Sequence, residues 1–223
     1  MRLSAESFSQ LDLTTAEVEA AERLYGALTG DIRRLVDVAI RTGVDAGRVE
    51  QARELVRRAT TILAEDAPPD PAGIHFNAEG RSWNWGNAVV GVRNAIAPPV
   101  VLTWDDDGSV FSEVELGVAY EGPPGCVHGG VSALVLDHLM GETASAEHTR
   151  LIVTGTLTLR YLRPLPLGTV HMRARITRED ERKVTVTAHL SDAAGDDRPA
   201  VEATGLFIRP SWVRPDSVAG SLD

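Results

Sequence analysis

The chain has 223 residues and a single cysteine, Cys126, so it has no means of forming an intramolecular disulfide or a paired-cysteine metal or redox site. Its first residues, Met1-Arg2-Leu3-Ser4-Ala5-Glu6-Ser7, lack the apolar run of a secretory signal. No uninterrupted apolar stretch approaches the roughly 18 residues that mark a membrane span. The expectation is therefore a cytoplasmic protein with no membrane span. The histidines are scattered, with no i, i+4 pair beside acids, and no metal site is expected. There is no Gly-x-Ser-x-Gly elbow, no P-loop and no dinucleotide fingerprint, so no cofactor is expected either. Positive charge is also short. Lys and Arg number 22 against 32 Asp and Glu, a formal net charge of −10 that disfavours nucleic acid and anionic membrane as partners. One segment departs from that balance, gathering Arg160, Arg163, Arg173, Arg175, Arg178, Arg182 and Lys183, which leaves room for a small anionic ligand.

What is present is an ordinary globular composition, 43% hydrophobic and 24% charged, enough for one domain with an extension. Thr14-Thr15-Ala16-Glu17 has the form of a capping box. Behind it Val18, Ala21, Tyr25, Leu28, Ile32, Leu35 and Ala39 recur at alternating spacings of three and four, the mark of an apolar helical stripe. Gly26 and Gly30 interrupt that stripe. After Thr42-Gly43-Val44-Asp45 a second stripe follows at Val49, Ala52, Val56, Ala59 and Leu63. The two read as a helical hairpin packed on the main domain or on its copy in another subunit. Ala67-Pro68-Pro69-Asp70-Pro71 is a stiff joint, dividing a helical extension, 1–66, from a main domain, 67–223.

Beyond the joint the pattern becomes strands, one helix, then strands. Val100–Trp104 and Val110–Tyr120 flank Asp105-Asp106-Asp107-Gly108 as a hairpin. A helix is expected from about His128 to Ala146. Strands are expected at Ile152–Leu162, Thr169–Thr177, Lys183–Ser191 and Ala200–Ile208. Val184, Val186, Ala188 and Leu190 alternate with Thr185, Thr187 and His189. Strands packed on one long apolar helix make an α+β architecture, with Val131, Leu134, Val135, Met140 and His138 as candidates to face the sheet or a pocket.

The stretch Gly122-Pro123-Pro124-Gly125-Cys126-Val127-His128-Gly129-Gly130 is a glycine-rich turn that opens directly into this helix. Two turns in, Asp137 interrupts the apolar pattern. Backbone N–H groups at a helix start can hold an oxyanion, and a nearby carboxylate can drive hydrolysis. A buried carboxylate costs several kcal/mol unless it is paired, so this one needs a use or a partner, Arg160 being one available cation. The residues thus point to an enzyme that acts on a carbonyl group.

His128-Gly129-Gly130 with an acid nine residues after the histidine, together with Tyr161-Leu162-Arg163-Pro164 after the next strand, resembles the hotdog-fold acyl-CoA thioesterases of the PaaI-like type, in the branch with the human thioesterase-superfamily members. The resemblance covers roughly residues 100 to 209. It implies a hotdog fold, an antiparallel sheet around a central helix, in a homodimer or tetramer with shared active sites. It implies Asp137 as nucleophile or general base and Gly129 as the donor to the thioester carbonyl. His128 would shape the turn, and Thr154, from an adjoining subunit, would place water or the acid. Gly130 and Leu134 would line the substrate, and Arg160 and Arg163 would meet the phosphates of coenzyme A, with Arg182 and Lys183 behind them. Several members of that family carry an asparagine six residues before the histidine, where this chain has Gly122. The implied reaction is hydrolysis of an acyl-CoA to free acid and coenzyme A; Leu134, Val135, Leu139 and Met140 near the site point to a medium or long acyl chain. The alternatives are a non-catalytic acyl-CoA binding or sensing protein on the same fold, or a hotdog dehydratase or hydratase.

Overall fold

The computed structural model describes residues 8–69, 72–146, 150–193, 195 and 198–210. Its centre is a six-stranded sheet in the order β4-β5-β7-β8-β9-β6, antiparallel at every pairing. The strands are β4 (Thr103–Trp104), β5 (Val110–Leu116), β6 (Val153–Tyr161), β7 (Gly168–Glu179), β8 (Lys183–Asp192) and β9 (Val201–Ile208). Their alternation sets which face is covered. In β8, Val184, Val186, Ala188 and Leu190 are buried while the residues between them are not, as the period of two predicts. Onto that face packs α3 (Gly129–Ser145), which buries Val135, Leu136, Leu139 and Met140 against Val170, Met172, Leu190 and Phe207. Each such side chain contributes about 1.5–3 kcal/mol by leaving water. This is the helix-on-antiparallel-sheet arrangement expected above.

Two boundaries differ. The strand expected to reach Tyr120 ends at Leu116; past Gly117 the chain tightens into a 3-10 turn, Val118–Tyr120. Residues 100–102 stay outside β4. β6 lies at the sheet edge, bonded to β9 alone, and most of its residues are exposed.

In the N-terminal region β1 (Phe8–Gln10) runs parallel to β2 (Ile74–Phe76), which pairs in turn with β3 (Ser82–Trp83). α1 (Thr15–Arg41) starts at the predicted capping box: Thr14 accepts from the Glu17 N–H and Glu17 accepts from the Thr14 N–H. It continues unbroken through Gly26 and Gly30. A Cβ at Gly26 would meet Val92 Cγ2 at 3.2 Å, so that glycine sits where the helix presses on the irregular segment 84–102. Glu22 accepts from Arg81 and from the Trp85 indole, and the Arg93 guanidinium lies 3.6 Å over the Tyr25 ring.

The second helix, α2 (Ala46–Ala64), does not complete a packed hairpin within the chain. None of its residues is buried, and Leu55 and Ile62 are each about two-thirds exposed. The first helix packs on segment 77–97 only in its earlier turns; Leu35, Val36, Val38 and Ile40 near its end are exposed as well.

Candidate active site

The turn that opens α3 is closed by its own backbone. Glu121 and Val127 form an antiparallel bridge, Gly122 N–H donates to Cys126 O at 2.9 Å, and Cys126 N–H donates to Pro123 O at 2.8 Å. The Glu121 carboxylate accepts from Gly125 N–H at 2.7 Å. The second arm is held twice more: Val127 N–H donates to Leu165 O at 2.8 Å outside the turn, and His128 N–H donates across the turn to Tyr120 O at 2.9 Å. A Cβ at position 122 would lie 2.7 Å from His128 Cα. No side chain fits there, so the asparagine of the relatives is excluded by the closeness of the two arms of this turn.

His128 is the N-cap of α3. Its ring Nδ1 accepts from Gly130 N–H at 2.9 Å, which leaves the ring proton on Nε2. That bond engages Gly130, so the donor assignment narrows to its neighbour. Among the described residues no acceptor meets the Gly129 N–H, which stands at the positive end of the helix dipole. Tyr161 holds the same residue by its carbonyl, in the next peptide unit. Its hydroxyl donates to Gly129 O at 2.8 Å, and its ring passes 3.3 Å from where a Gly129 Cβ would sit. Tyr161 and Glu121 are both local supports of the turn that no sequence periodicity announces; Tyr161 entered the sequence reading only as part of a motif.

Gly130, Leu134 and Asp137 fall on one face of α3, at the spacing of helical turns, and this face is the open one. Leu134 is 40% exposed. Asp137 is half-buried, not buried as its apolar surroundings in sequence predict, because the sheet covers only the opposite face. Its Oδ1 accepts from the Thr154 hydroxyl at 3.0 Å. The bond corrects one expectation: Thr154 reaches Asp137 within the same chain, from the start of β6, rather than from an adjoining subunit. A register shift between Thr154 and Thr156 marks the same place in the β6–β9 ladder. Asp137 does not pair with Arg160. By helical rise, Asp137 stands about 12 Å along the axis from Gly129, so one thioester carbon cannot approach both groups of the same helix.

The arginines have partners of their own. Arg160, 73% exposed, makes a 3.4 Å ion pair with Glu202. Arg163 is committed to Asp192 at 2.6 Å and to the Arg198 carbonyl at 2.7 Å, which ties the end of β6 to the β8–β9 connection. Arg182 donates to Arg209 O, and Lys183 opens β8. His138, one residue past Asp137, lies 3.9 Å from Glu142. Cys126 is half-buried inside the turn. Among the described residues no three His, Cys, Asp or Glu side chains converge as a metal site would require, and no helix is long and apolar enough to cross a membrane.

Comparison with known proteins gives a consistent result. The model of a family described as the thioesterase superfamily matches residues 124–197, which contain most of the turn, α3 and Thr154. A solved structure of a thioesterase superfamily protein is 36% identical, with a TM-score of 0.72, covering 82% of this chain and 90% of that one. Acyl-coenzyme A thioesterase THEM4 of Xenopus laevis is 34% identical over 94 residues, 42% of this chain and 41% of its own. THEM4 of Mus musculus is 32% identical over 101 residues, 44% of this chain and 42% of its own. The chain thus spans about two-fifths of the length of these two relatives.

Proposed function

The chain belongs to the thioesterase superfamily, and from that membership we propose that it hydrolyses the thioester of an acyl-CoA to the free acid and coenzyme A. The observation that carries the reading is the Asp137–Thr154 pair on the open face of a helix whose first N–H has no acceptor among the described residues. An anion-accepting donor and an oriented carboxylate are what acyl transfer to water needs. Mere binding of acyl-CoA needs no such carboxylate.

The reaction adds water to the thioester carbonyl carbon and breaks its C–S bond. The developing oxyanion sits on the Gly129 N–H, worth about 2.7–4 kcal/mol by comparison with oxyanion donors elsewhere. Asp137 takes the proton of the attacking water, or attacks the carbonyl itself to form a mixed anhydride that water then opens. Thr154 holds the carboxylate oxygen in place. The sulfur leaves as thiolate and is protonated from solvent.

Because about 12 Å separates the two groups on one helix, we place them in one site by pairing two chains. A two-fold axis that sets two α3 helices antiparallel brings Gly129 of one copy towards Asp137 of the other. β6 supports this reading, since it is an open edge of nine residues, a template for a second copy. Leu134 on the open face then lines the acyl chain, favouring a medium or long aliphatic group. The exposed guanidinium of Arg160 is the candidate for the carrier's phosphates, whereas Arg163 is held by Asp192.

Thiol release from short, aromatic and long-chain acyl-CoAs, with Asp137→Ala and Asp137→Asn alongside, tests the proposal. Expected is turnover on part of the panel and a loss of at least ~100-fold in both variants. A folded wild-type protein that binds acyl-CoA without turnover would move the reading to a sensor.

A further inference from the structure

The active-site turn is gripped from two sides, and the two grips differ in origin. Leu165 O and Leu167 N–H hold Val127 and Gly125 from within the main sheet's own connection. The other grip, His128 N–H on Tyr120 O at 2.9 Å, leads out of the sheet. The Tyr120 hydroxyl donates to Ile96 O at 2.9 Å. Ile96 belongs to a tight turn, Asn94–Ala97, closed by a 3.1 Å bond from Ala97 N–H to Asn94 O. Both of those carbonyls accept from one guanidinium: Arg33 Nε donates to Ala97 O at 3.0 Å and Arg33 Nη2 to Asn94 O at 2.8 Å. Arg33 lies in α1. One turn earlier on the same helix face, Thr29, buried, donates to Val92 O at 2.6 Å, and a turn before that Tyr25 carries Arg93 over its ring. A continuous path of hydrogen bonds therefore runs from α1 through the 92–97 segment and Tyr120 to the N-cap of α3.

We propose that Arg33 and Tyr120 are positioning residues for the oxyanion turn, so that the N-terminal helix α1 is part of the catalytic unit. The proposal rests on the thioesterase reading for its kinetic consequence. The physical case is economy of alternatives. Segment 84–102 has no strand or helix of its own; backbone bonds such as Arg93 N–H to Trp85 O and Val100 N–H to Val89 O fold it on itself, and side chains of α1 fix its Val92, Asn94 and Ala97 carbonyls from outside. A planar guanidinium that spans two carbonyls of one turn fixes both position and orientation, which a lysine ammonium does not. The Tyr120 hydroxyl then reads out that orientation. Its own carbonyl is the acceptor that fixes His128 N–H, one peptide before the Gly129 donor. A displacement of an ångström at such a donor costs up to ~100-fold in rate; with the Leu165 grip intact, about tenfold is expected here.

The test uses the full chain with Arg33→Ala, Arg33→Lys, Tyr120→Phe and the double variant Arg33→Ala/Tyr120→Phe. Two readouts are taken: thiol release from the acyl-CoA that wild type turns over best, and amide hydrogen exchange in peptides covering 118–132. The expected result is a kcat about tenfold lower in Arg33→Ala and in Tyr120→Phe with KM within about twofold, little rescue by lysine, and a double variant no worse than either single one. Added guanidinium ion should restore Arg33→Ala in part. Exchange at 127–132 should quicken in every variant. Additive losses in the double variant, or unchanged exchange at 127–132, would overturn the proposal. If Arg33→Ala does not fold, Tyr120→Phe, which removes only one oxygen, carries the test alone. A wild-type chain that hydrolyses no acyl-CoA would sink the functional reading, while the exchange measurement would still decide the brace.

Discussion

Gly122 shows how much of the site is settled by single residues. Its missing side chain lets the two arms of the turn approach until a Cβ would lie 2.7 Å from His128 Cα, a backbone atom that cannot move aside cheaply. Gly122→Ala should therefore lower stability by about 1–3 kcal/mol, the range for forced overpacking, and reduce turnover with it. Urea unfolding and thiol release on the same preparation check this; an unchanged midpoint would mean that the turn opens freely. At this scale the sequence was legible where one motif carries one job. His128 caps α3 and Gly129 opens its first turn, as the motif suggests, whereas Asp137, set by its neighbours among buried residues, lies half-buried on the open face. It was not legible where a partner lies far along the chain. That Thr154 meets Asp137 of its own chain depends on how β6 is registered on β9, and that Tyr161 covers Gly129 depends on where β6 ends.

Among the elements, the strands of the main sheet were readable because one covered face imposes a period of two, and α3 because a glycine-rich turn opens directly into an apolar run. Segment 84–102 has no period, and its position follows from irregular backbone turns and from side chains such as Arg33, Thr29 and Asn87 that bond its backbone. The stripe of α2 identified which face is apolar but could not say that nothing in the chain covers it. A second side-chain clamp joins the ends of three elements. Glu179 at the end of β7 accepts from Arg150 and Arg209, while Arg150 also donates to Ala144 O near the end of α3 at 2.6 Å. The hydrogen bond from Arg150, before any other influence, holds the Glu179 carboxyl below its ordinary range. A lowered folded-state value means stabilisation present above the unfolded carboxylate's range and withdrawn as pH falls through the folded value. Glu179→Gln should thus melt earlier than wild type near neutral pH, with the gap closing below about pH 4. Melting curves from pH 3 to pH 8 measure it; a gap that stays constant with pH would show that the clamp acts through packing alone.

For the whole molecule, an open strand edge, an open face of α3 and a wholly exposed α2 all lie in a chain whose main core is otherwise closed. Sequence patterns of this kind describe which surfaces are apolar within one chain and carry no direct record of assembly. The stiffness of α3 has a consequence for subunit genetics. A rod cannot bend to bring its first residue to its ninth, so each proposed site borrows its donor from one copy and its acid from the other. Two dead proteins should then revive each other. Mixing Asp137→Ala chains with Gly122→Val chains, unfolding and refolding them together, should return about a quarter of wild-type turnover, since half the pairs are mixed and each holds one whole site. Complementation at that level would mean that the catalytic unit is the pair, and its absence would mean that Gly129 and Asp137 do not act in one site.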